Sequence, residues 1–259
     1  MAQQERACRH KRCSIESVRI HRIQSVAAYS HLIETDEALY LVDAGMVGHG
    51  RAILRKIRDI GRDPAELKLA IVTHGHADHF GGLAEVLDEV SGIEIITHPE
   101  HARVVATGSV IISPGLNPYS KFYELIARNS LPRIGLRGVG SVIALDDGAR
   151  LDEYGLPGKI VYTTGHSSGD ISLVLDDGNA FVGDAVQGRR IPGLTQPELP
   201  NMAIDVDDVL ASWRVLLDAG AITIYPAHGS VVSADDLRPV LRRNIARREA
   251  RWATQQPQV

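Results

Sequence analysis

Three imidazoles and one carboxylate fall within six consecutive residues, His74-Gly75-His76-Ala77-Asp78-His79. Imidazole nitrogen and carboxylate oxygen are the donors that divalent zinc takes at roughly 2.0–2.2 Å. Packed so densely, these groups would desolvate one another at a cost unless a cation offsets it. The run follows an apolar stretch, Leu67-Lys68-Leu69-Ala70-Ile71-Val72, and precedes Gly81-Gly82. It is therefore expected where a buried strand ends and a helix begins. A strand end that breaks into a tight turn aims alternate residues at one point and the next two at a second point nearby, as two adjacent metal ions require.

Three later segments have the same form, a strand followed by a donor and a small residue: Thr164-Gly165-His166-Ser167, Val182-Gly183-Asp184-Ala185 and Pro226-Ala227-His228-Gly229. Each alone is a weak signal, since a single histidine or aspartate at a strand end is more often a turn or core residue. Together they bring the donors to seven: His74, His76, Asp78, His79, His166, Asp184 and His228. Two four- to five-coordinate sites need about six or seven protein donors plus solvent.

The elements that must bring these residues together are legible from periodicity. Residues 17–23, 25–35 and 38–45 read as successive strands of a meander, with a turn at Thr35-Asp36-Glu37. Ile53, Leu54, Ile57 and Ile60 give helical spacing over about 50–60, closed by Gly61. Strands are expected at 67–74, 92–98, 141–145, 159–170, 171–178, 179–186 and 221–229, with a hairpin turn at Asp176-Asp177-Gly178. Helices are expected at 83–90, 99–107 and 205–219. A final one is striped by Leu237, Leu241, Ile245 and Trp252, its outer face rich in arginine. Strands followed by helix in both halves suggest two stacked sheets covered outside by helices. Residues 1–14 are polar and basic and read as a loose extension, leaving 15–259 as one domain. Within it, Gly108–Gly140 carries Pro114, Pro118, Pro132 and several glycines around a short helical stretch at 121–129, the composition of an inserted lid or specificity element.

Composition bounds the rest. The chain has 259 residues, a formal net charge of −4 and 44% apolar residues, enough for a substantial core. The mild acidity argues against a nucleic-acid binder. No apolar stretch approaches the roughly 20 residues of a membrane helix, and no secretory signal follows the charged N-terminus. Two cysteines, Cys8 and Cys13, cannot staple a fold of this size. The expectation is a cytoplasmic protein acting on a small molecule, with no nucleic-acid or membrane partner and with a homodimer left open. Cys8 and Cys13 with His10 between them lack the further ligands a metal site needs. His21, His31, His49, His98 and His101 have no partner spacing and are taken as structural or surface residues.

The His-Gly-His-Ala-Asp-His run with single His, Asp and His residues at later strand ends resembles the metallo-β-lactamase-fold hydrolase superfamily over nearly all of residues 15–250. The resemblance implies an α/β protein of the α+β kind, a four-layer αββα sandwich with metals at one edge of its two sheets. It implies a first metal held by His74, His76 and His166, and a second held by Asp78, His79 and His228. Asp184 would bridge both together with a hydroxide. Asp43, at the end of Leu41-Val42-Asp43, matches the early aspartate that orients a metal-bound histidine through its other ring nitrogen. The implied cofactor is two Zn2+ per chain, with iron or manganese as alternatives. Asp78 and Asp184 are then the candidate catalytic carboxylates.

Departures from individual branches narrow the activity. β-Lactamases of the superfamily generally lack the bridging aspartate. Flavodiiron relatives place a carboxylate where His76 stands, so an all-histidine first site favours zinc. Glyoxalase II relatives carry a helical domain after the last ligand, where this sequence has one helix and a tail. The expected function is a dinuclear zinc hydrolase of an ester-like bond, be it lactone, thioester, carboxylic ester or phosphoester, in which water is available as hydroxide near neutral pH. The alternative is a mononuclear-iron, persulfide dioxygenase-like oxidoreductase on the same fold, disfavoured by the continuation Gly183-Asp184-Ala185-Val186-Gln187-Gly188. Tyr119, Phe122 and Tyr123 are candidates for the mouth of the site, and Arg189 with Arg190 for meeting an anionic substrate. Packing of the aromatics onto the body and an exposed arginine pair are the plainer readings.

Overall fold

Alternation along the central strands sets the layers of this computed structural model, which describes residues 18–26, 28–131, 134–189 and 196–255. In β3 (Leu39–Val42), Leu39 and Leu41 point into one core while Tyr40 and Val42 point into another, as a side-chain period of two requires. β3 belongs to a six-stranded sheet ordered β1 (Arg19–Gln24), β2 (Tyr29–Glu34), β3, β4 (Leu67–Ile71), β5 (Glu94–Thr97), β6 (Ile143–Ala144). Its first three strands form the expected antiparallel meander and the rest run parallel. A five-stranded sheet has the order β13 (Val232–Ser233), β12 (Thr223–Tyr225), β9 (Asn179–Phe181), β8 (Ile171–Leu175), β7 (Gly158–Tyr162). Two short strands, β10 (Gln187–Gly188) and β11 (Pro197–Glu198), pair separately and were not expected from the sequence.

Three cores separate four layers. Tyr40, Val42, Leu69 and Ile71 of the first sheet meet Ile160, Ile171, Leu173 and Phe181 of the second. The outer face of the first sheet is covered by α1 (Gly50–Asp59), α2 (Ala77–Phe80), α3 (Leu83–Leu87) and α4 (Pro99–Thr107), through Ile53, Ile57, Phe80, Leu83 and Val105. The second sheet is covered by α6 (Val206–Asp218) and α7 (Ala234–Gln255), through Val209, Trp213, Leu216, Leu237 and Leu241. This is the αββα sandwich. The segment 108–140 lies between α4 and β6 and carries α5 (Pro118–Ser130), capped by Asn117, whose side chain accepts from Ser120 N. The helix is longer than the 121–129 expected, because Asn117 with Pro118 is an N-terminal signal in its own right. Residues 1–14, with Cys8, His10 and Cys13, lie outside the described residues, as do Pro132 and Arg190.

Several strands end earlier than the apolar runs suggest, β4, β9 and β12 among them beside the donors. β4 stops short of 74 because its pairing runs out after Val72, whose N–H still makes the ladder bond to Ile96 O of β5. The next amide, Thr73 N, donates to the Asp43 carboxylate instead. The helix expected over 83–90 is a shorter α3 preceded by a separate α2, broken at Gly81-Gly82. A Cβ on Gly82 would lie 2.4 Å from Ala44 O, so only glycine lets this corner approach the end of β3.

The outer hairpin is tied by one carboxylate. Glu34 accepts from Arg19 Nε at 3.0 Å and Arg62 Nη1 at 3.4 Å, and sits 2.8 Å from His21 Nε2. The Arg19 guanidinium, outweighing burial and helped by His21, holds its carboxyl down to about 2 from an ordinary value of 4.5. A depressed folded-state pKa contributes stability above the unfolded value and loses it as pH falls towards the folded one. Unfolding free energy should therefore decline between about pH 4.5 and pH 2, by roughly 1–2 kcal/mol from this group after screening of the exposed Arg19. Denaturant titrations of Glu34→Gln should lack that part of the slope; an unchanged slope would assign the acid lability elsewhere.

Candidate metal centre

All seven candidate donors reach one edge of the sandwich, five from loops that follow strands and two, Asp78 and His79, from the short helix α2. The segment after β4 supplies His74, His76, Asp78 and His79, and the loops after β7, β9 and β12 supply His166, Asp184 and His228. Donor atoms fall into three overlapping groups, His74/His76/His166, His74/His79/Asp184 and Asp78/His79/His228. Within each group they lie no more than 4.8 Å from one another.

Hydrogen bonds behind the rings decide which nitrogens face inward. His166 Nδ1 lies 2.7 Å from Met202 O, which can only accept, so Nδ1 carries the hydrogen and Nε2 is bare. The Thr73 hydroxyl donates to Asp43 and therefore accepts from His74 Nδ1 at 3.1 Å, leaving His74 Nε2 bare. His76 turns its Nδ1 inward, 3.0 Å from His74 Nε2 and 3.1 Å from His166 Nε2, with its Nε2 3.2 Å from the Ser113 hydroxyl. Burial, reinforced by the neighbouring imidazoles, pushes His74 and His76 well below the ordinary histidine value, so both are neutral near pH 7. At most one proton then lies among three converging nitrogens. Ser113 N donates to His76 Nε2 at 3.2 Å, which leaves that proton on the inward Nδ1. It can serve only one of the two bare Nε2 atoms fully. At least one buried lone pair stays without a donor, a cost that a cation between them would relieve.

The second half of the cluster is organised by carboxylates. Asp184 turns Oδ2 towards His166 Nε2 at 3.6 Å, and Oδ1 towards His79 Nε2 at 3.5 Å and His228 Nε2 at 3.2 Å. His228 Nε2 is also 3.6 Å from Asp78 Oδ2. His79 Nε2 and Asp184 Oδ1 are buried with no hydrogen bond of normal geometry. Burial opposes charge on His79, but Asp43, Asp184 and Asp78 outweigh it and push the imidazole up to about 10. His228 is raised by Asp184 against the same burial. Burial alone would raise Asp184, yet His228, His79 and His166 hold its carboxyl far below the usual range. The carboxylates thus favour positive charge at the point where a cation would sit. The donor set, hard carboxylate with imidazole and no thiolate, fits zinc or another divalent first-row metal.

Supporting groups fix these positions. Asp43 has φ of 58°, a left-handed conformation that is costly for a non-glycine residue and tolerated best by Asn and Asp. It lets the carboxylate reach back, accepting from Thr73 N at 2.9 Å and from His79 Nδ1 at 2.8 Å. Gly183 (φ 50°) brings the Asp184 loop against Thr73, where a Cβ would lie 2.5 Å from the threonine hydroxyl. Its carbonyl accepts from Ala227 N, next to His228, at 2.9 Å. Trp213 of α6, fully buried, donates its indole N–H to Ala185 O at 2.6 Å and pins the residue after Asp184.

The cluster opens into a cavity of about 590 Å3 whose lining includes His76, Asp78, His166, Asp184 and His228. Tyr119 and Tyr123, expected at the mouth, line it. Phe122 and Arg189 do not. Phe122 lies on another side of α5 and is 62% exposed, and Arg189 Nε pairs with Glu198 at 2.8 Å across β10 and β11. Thr73, Ser113 and the Met202 carbonyl were missed from the sequence. Thr73 adjoins His74 and its hydroxyl was a readable cue, whereas Ser113 and Met202 act through tertiary proximity alone. His101, taken as structural or surface, is buried, and its Nδ1 accepts from Gly75 N at 3.0 Å, holding the turn between two donors.

Residues 25–228 match a family model described as the metallo-beta-lactamase superfamily. Among curated proteins, the probable metallo-hydrolase YflN of Bacillus subtilis is 36% identical over 152 residues, covering 56% of this chain and 54% of that protein. The beta-lactamase-like protein 2 homolog of Caenorhabditis elegans is 26% identical over 204 residues, covering 78% and 56%. The chain thus spans about half the length of these relatives. Among solved structures, a metallo-beta-lactamase family protein from Thermus thermophilus superposes with a TM-score of 0.61 at 18% identity, covering 91% of this chain and 81% of that one. That likeness concerns the fold. Among the described residues no helix is long and apolar enough to cross a membrane.

Proposed function

Because the chain belongs to the metallo-β-lactamase superfamily, we propose that it is a metal-dependent hydrolase of ester-like bonds working with two zinc ions. The observation that carries this reading is Asp184, whose two oxygens face two different histidine groups, Oδ2 towards His166 and Oδ1 towards His79 and His228. His74, His76 and His166 would hold one ion and Asp78, His79 and His228 the other, with Asp184 shared. When bound, such a pair supplies Lewis-acid polarisation of a carbonyl or phosphoryl oxygen and a nucleophilic water at neutral pH.

The chain's own groups do the rest. Thr73 and Asp43 hold His74 and His79 in the tautomers that turn their Nε2 atoms inward. Asp184, 6% exposed, is screened from bulk solvent and takes the proton released from the attacking water. Asp184 then returns that proton to the leaving group, while Asp78, whose side chain is 20% exposed and also lines the cavity, would hold its ion as the carboxylate. The match to a probable metallo-hydrolase supports this class of reaction.

The test is metal analysis of the purified chain beside a turnover screen of carboxylic esters, lactones, thioesters, phosphodiesters and a cephalosporin, with a chelated control. Expected are about two zinc ions per chain, turnover of at least one ester-like class, and loss of both turnover and several degrees of thermal stability after chelation. One iron per chain with sulfur oxidation would instead establish the dioxygenase-like alternative.

A further inference from the structure

Resting on the hydrolase reading, we infer that the cavity beside the donor cluster takes an uncharged, apolar acyl arm, so that the substrate is a neutral ester or lactone of a fatty-type acid. Tyr119, Tyr123, Ala127 and Leu131 all line this cavity at intervals of four along α5 and its C-terminal residue. That spacing places them on one stripe of the helix, about 18 Å long at 1.5 Å per residue. Ile111 and Ile112 also contribute to the lining.

The stripe is physically joined to the donors. Gly115 pairs with Met202, Leu116 N donates to Asn201 O at 3.0 Å, and Ala203 N donates to Pro114 O at 3.1 Å. The chain entering α5 is thereby stitched to the residue whose carbonyl orients His166. Ser113, two residues before that junction, lies beside His76. An arm seated along the stripe would therefore leave the ester carbonyl beside the cluster.

Charge narrows the class further. Among the described residues lining the cavity there is no lysine or arginine, and apart from the metal donors the polar side chains are neutral hydroxyls and amides. An anionic substituent on the arm would meet no cationic side chain there and, at the deeper Ala127 end, would lose hydration as well. Arg189, which could have met an anion, is turned away into its pair with Glu198. In the reaction one water is consumed: the acyl C–O bond breaks, the acyl carbon gains the hydroxyl, and the departing alcohol oxygen gains the proton. No redox partner is needed.

The experiment uses the zinc-loaded chain and neutral esters of one alcohol with acyl groups from acetyl to decanoyl, plus an octanoyl ester carrying a terminal carboxylate. Uncleavable amides of the same acids are titrated in parallel by calorimetry. Expected is a rise in kcat/KM of about three- to fourfold per added methylene until the arm outgrows the stripe. Amide affinity should rise in step, and the carboxylate should lower kcat/KM more than tenfold. Ala127→Phe should lower the octanoyl-to-acetyl ratio. Turnover that ignores chain length, or that favours the carboxylate, overturns this inference and leaves the hydrolase reading intact. Graded amide binding without any turnover supports the acyl site and overturns the hydrolase reading instead. Absence of both binding and turnover overturns both.

Discussion

Asp184→Asn should reduce turnover of any accepted ester by about 10³-fold or more while leaving the chain folded. The substitution keeps the side chain's shape and removes one negative charge from the point where the two histidine groups meet. One of the two oxygens becomes an NH2, whose hydrogens would face either His166 Nε2, now 3.6 Å from Oδ2, or His228 Nε2, 3.2 Å from Oδ1. An amide donor aimed at a nitrogen that must itself offer a lone pair competes with a cation for that nitrogen. A group that acts at the reacting centre typically costs on the order of 10²–10³ when lost, and here the shared ligand is lost with it. On the proposed two-ion reading, the zinc content should drop from two towards one per chain. The backbone around Asp184 is held by Trp213 and by the Gly183–Ala227 hydrogen bond, neither of which uses the carboxylate, so circular dichroism should be unchanged. Full activity with two zinc ions would falsify the shared role of Asp184.

What was readable in advance, and what was not, divides along physical lines. The apolar alternation of Leu39, Tyr40, Leu41 and Val42 specifies a strand packed on both faces, because local periodicity and burial coincide there. The donors were readable for a different reason. Four of the seven candidates fall within six consecutive residues, and the others repeat one local form, so chemistry and spacing are both local. The end of β4 was misjudged because Val72 and Thr73 continue its β-branched pattern while the Thr73 amide leaves the ladder for the Asp43 carboxylate. Nothing local in 67–74 announces that partner. The cavity wall shows the same limit. Tyr119 and Tyr123 line it and Phe122 does not, because α5 faces the cavity on a stripe whose phase is set by the Gly115–Met202 pairing, a contact spanning 87 positions of sequence. Of the two readings of Arg189, neither could be chosen locally, because Glu198, its partner, sits on a strand too short to leave a periodic trace.

Asp43→Asn should weaken zinc at the His79 side by about 10- to 100-fold, the usual cost of losing a group that orients a ligand from behind, with little change in fold stability. The backbone argument comes first. At φ 58° asparagine is tolerated as well as aspartate, so the variant adds no strain, whereas alanine at this position would. The carbonyl oxygen of asparagine can still accept from Thr73 N and the Thr73 hydroxyl, now 2.9 Å and 3.0 Å from Oδ1. The amide nitrogen must then take the place of Oδ2, 2.8 Å from His79 Nδ1. Two N–H groups cannot face each other at that distance, so His79 is driven to the tautomer with its hydrogen on Nε2. That is the atom 3.5 Å from Asp184 and 4.0 Å from Asp78, the one needed as a metal donor. The histidines backed by other groups, His166 by Met202 O and His76 by Ser113, keep their orientation. Competitive zinc titration should therefore show one weakened and one nearly unchanged site, and nitrogen chemical shifts of the His79 ring should report the exchanged tautomer. Asp43→Gly, which relieves the backbone without supplying a misdirected donor, should lose less affinity than Asp43→Asn if tautomer control is the main effect. Both variants lose the negative charge, so the reverse order would make the oxygen that accepts from Thr73 N and the Thr73 hydroxyl the dominant contribution.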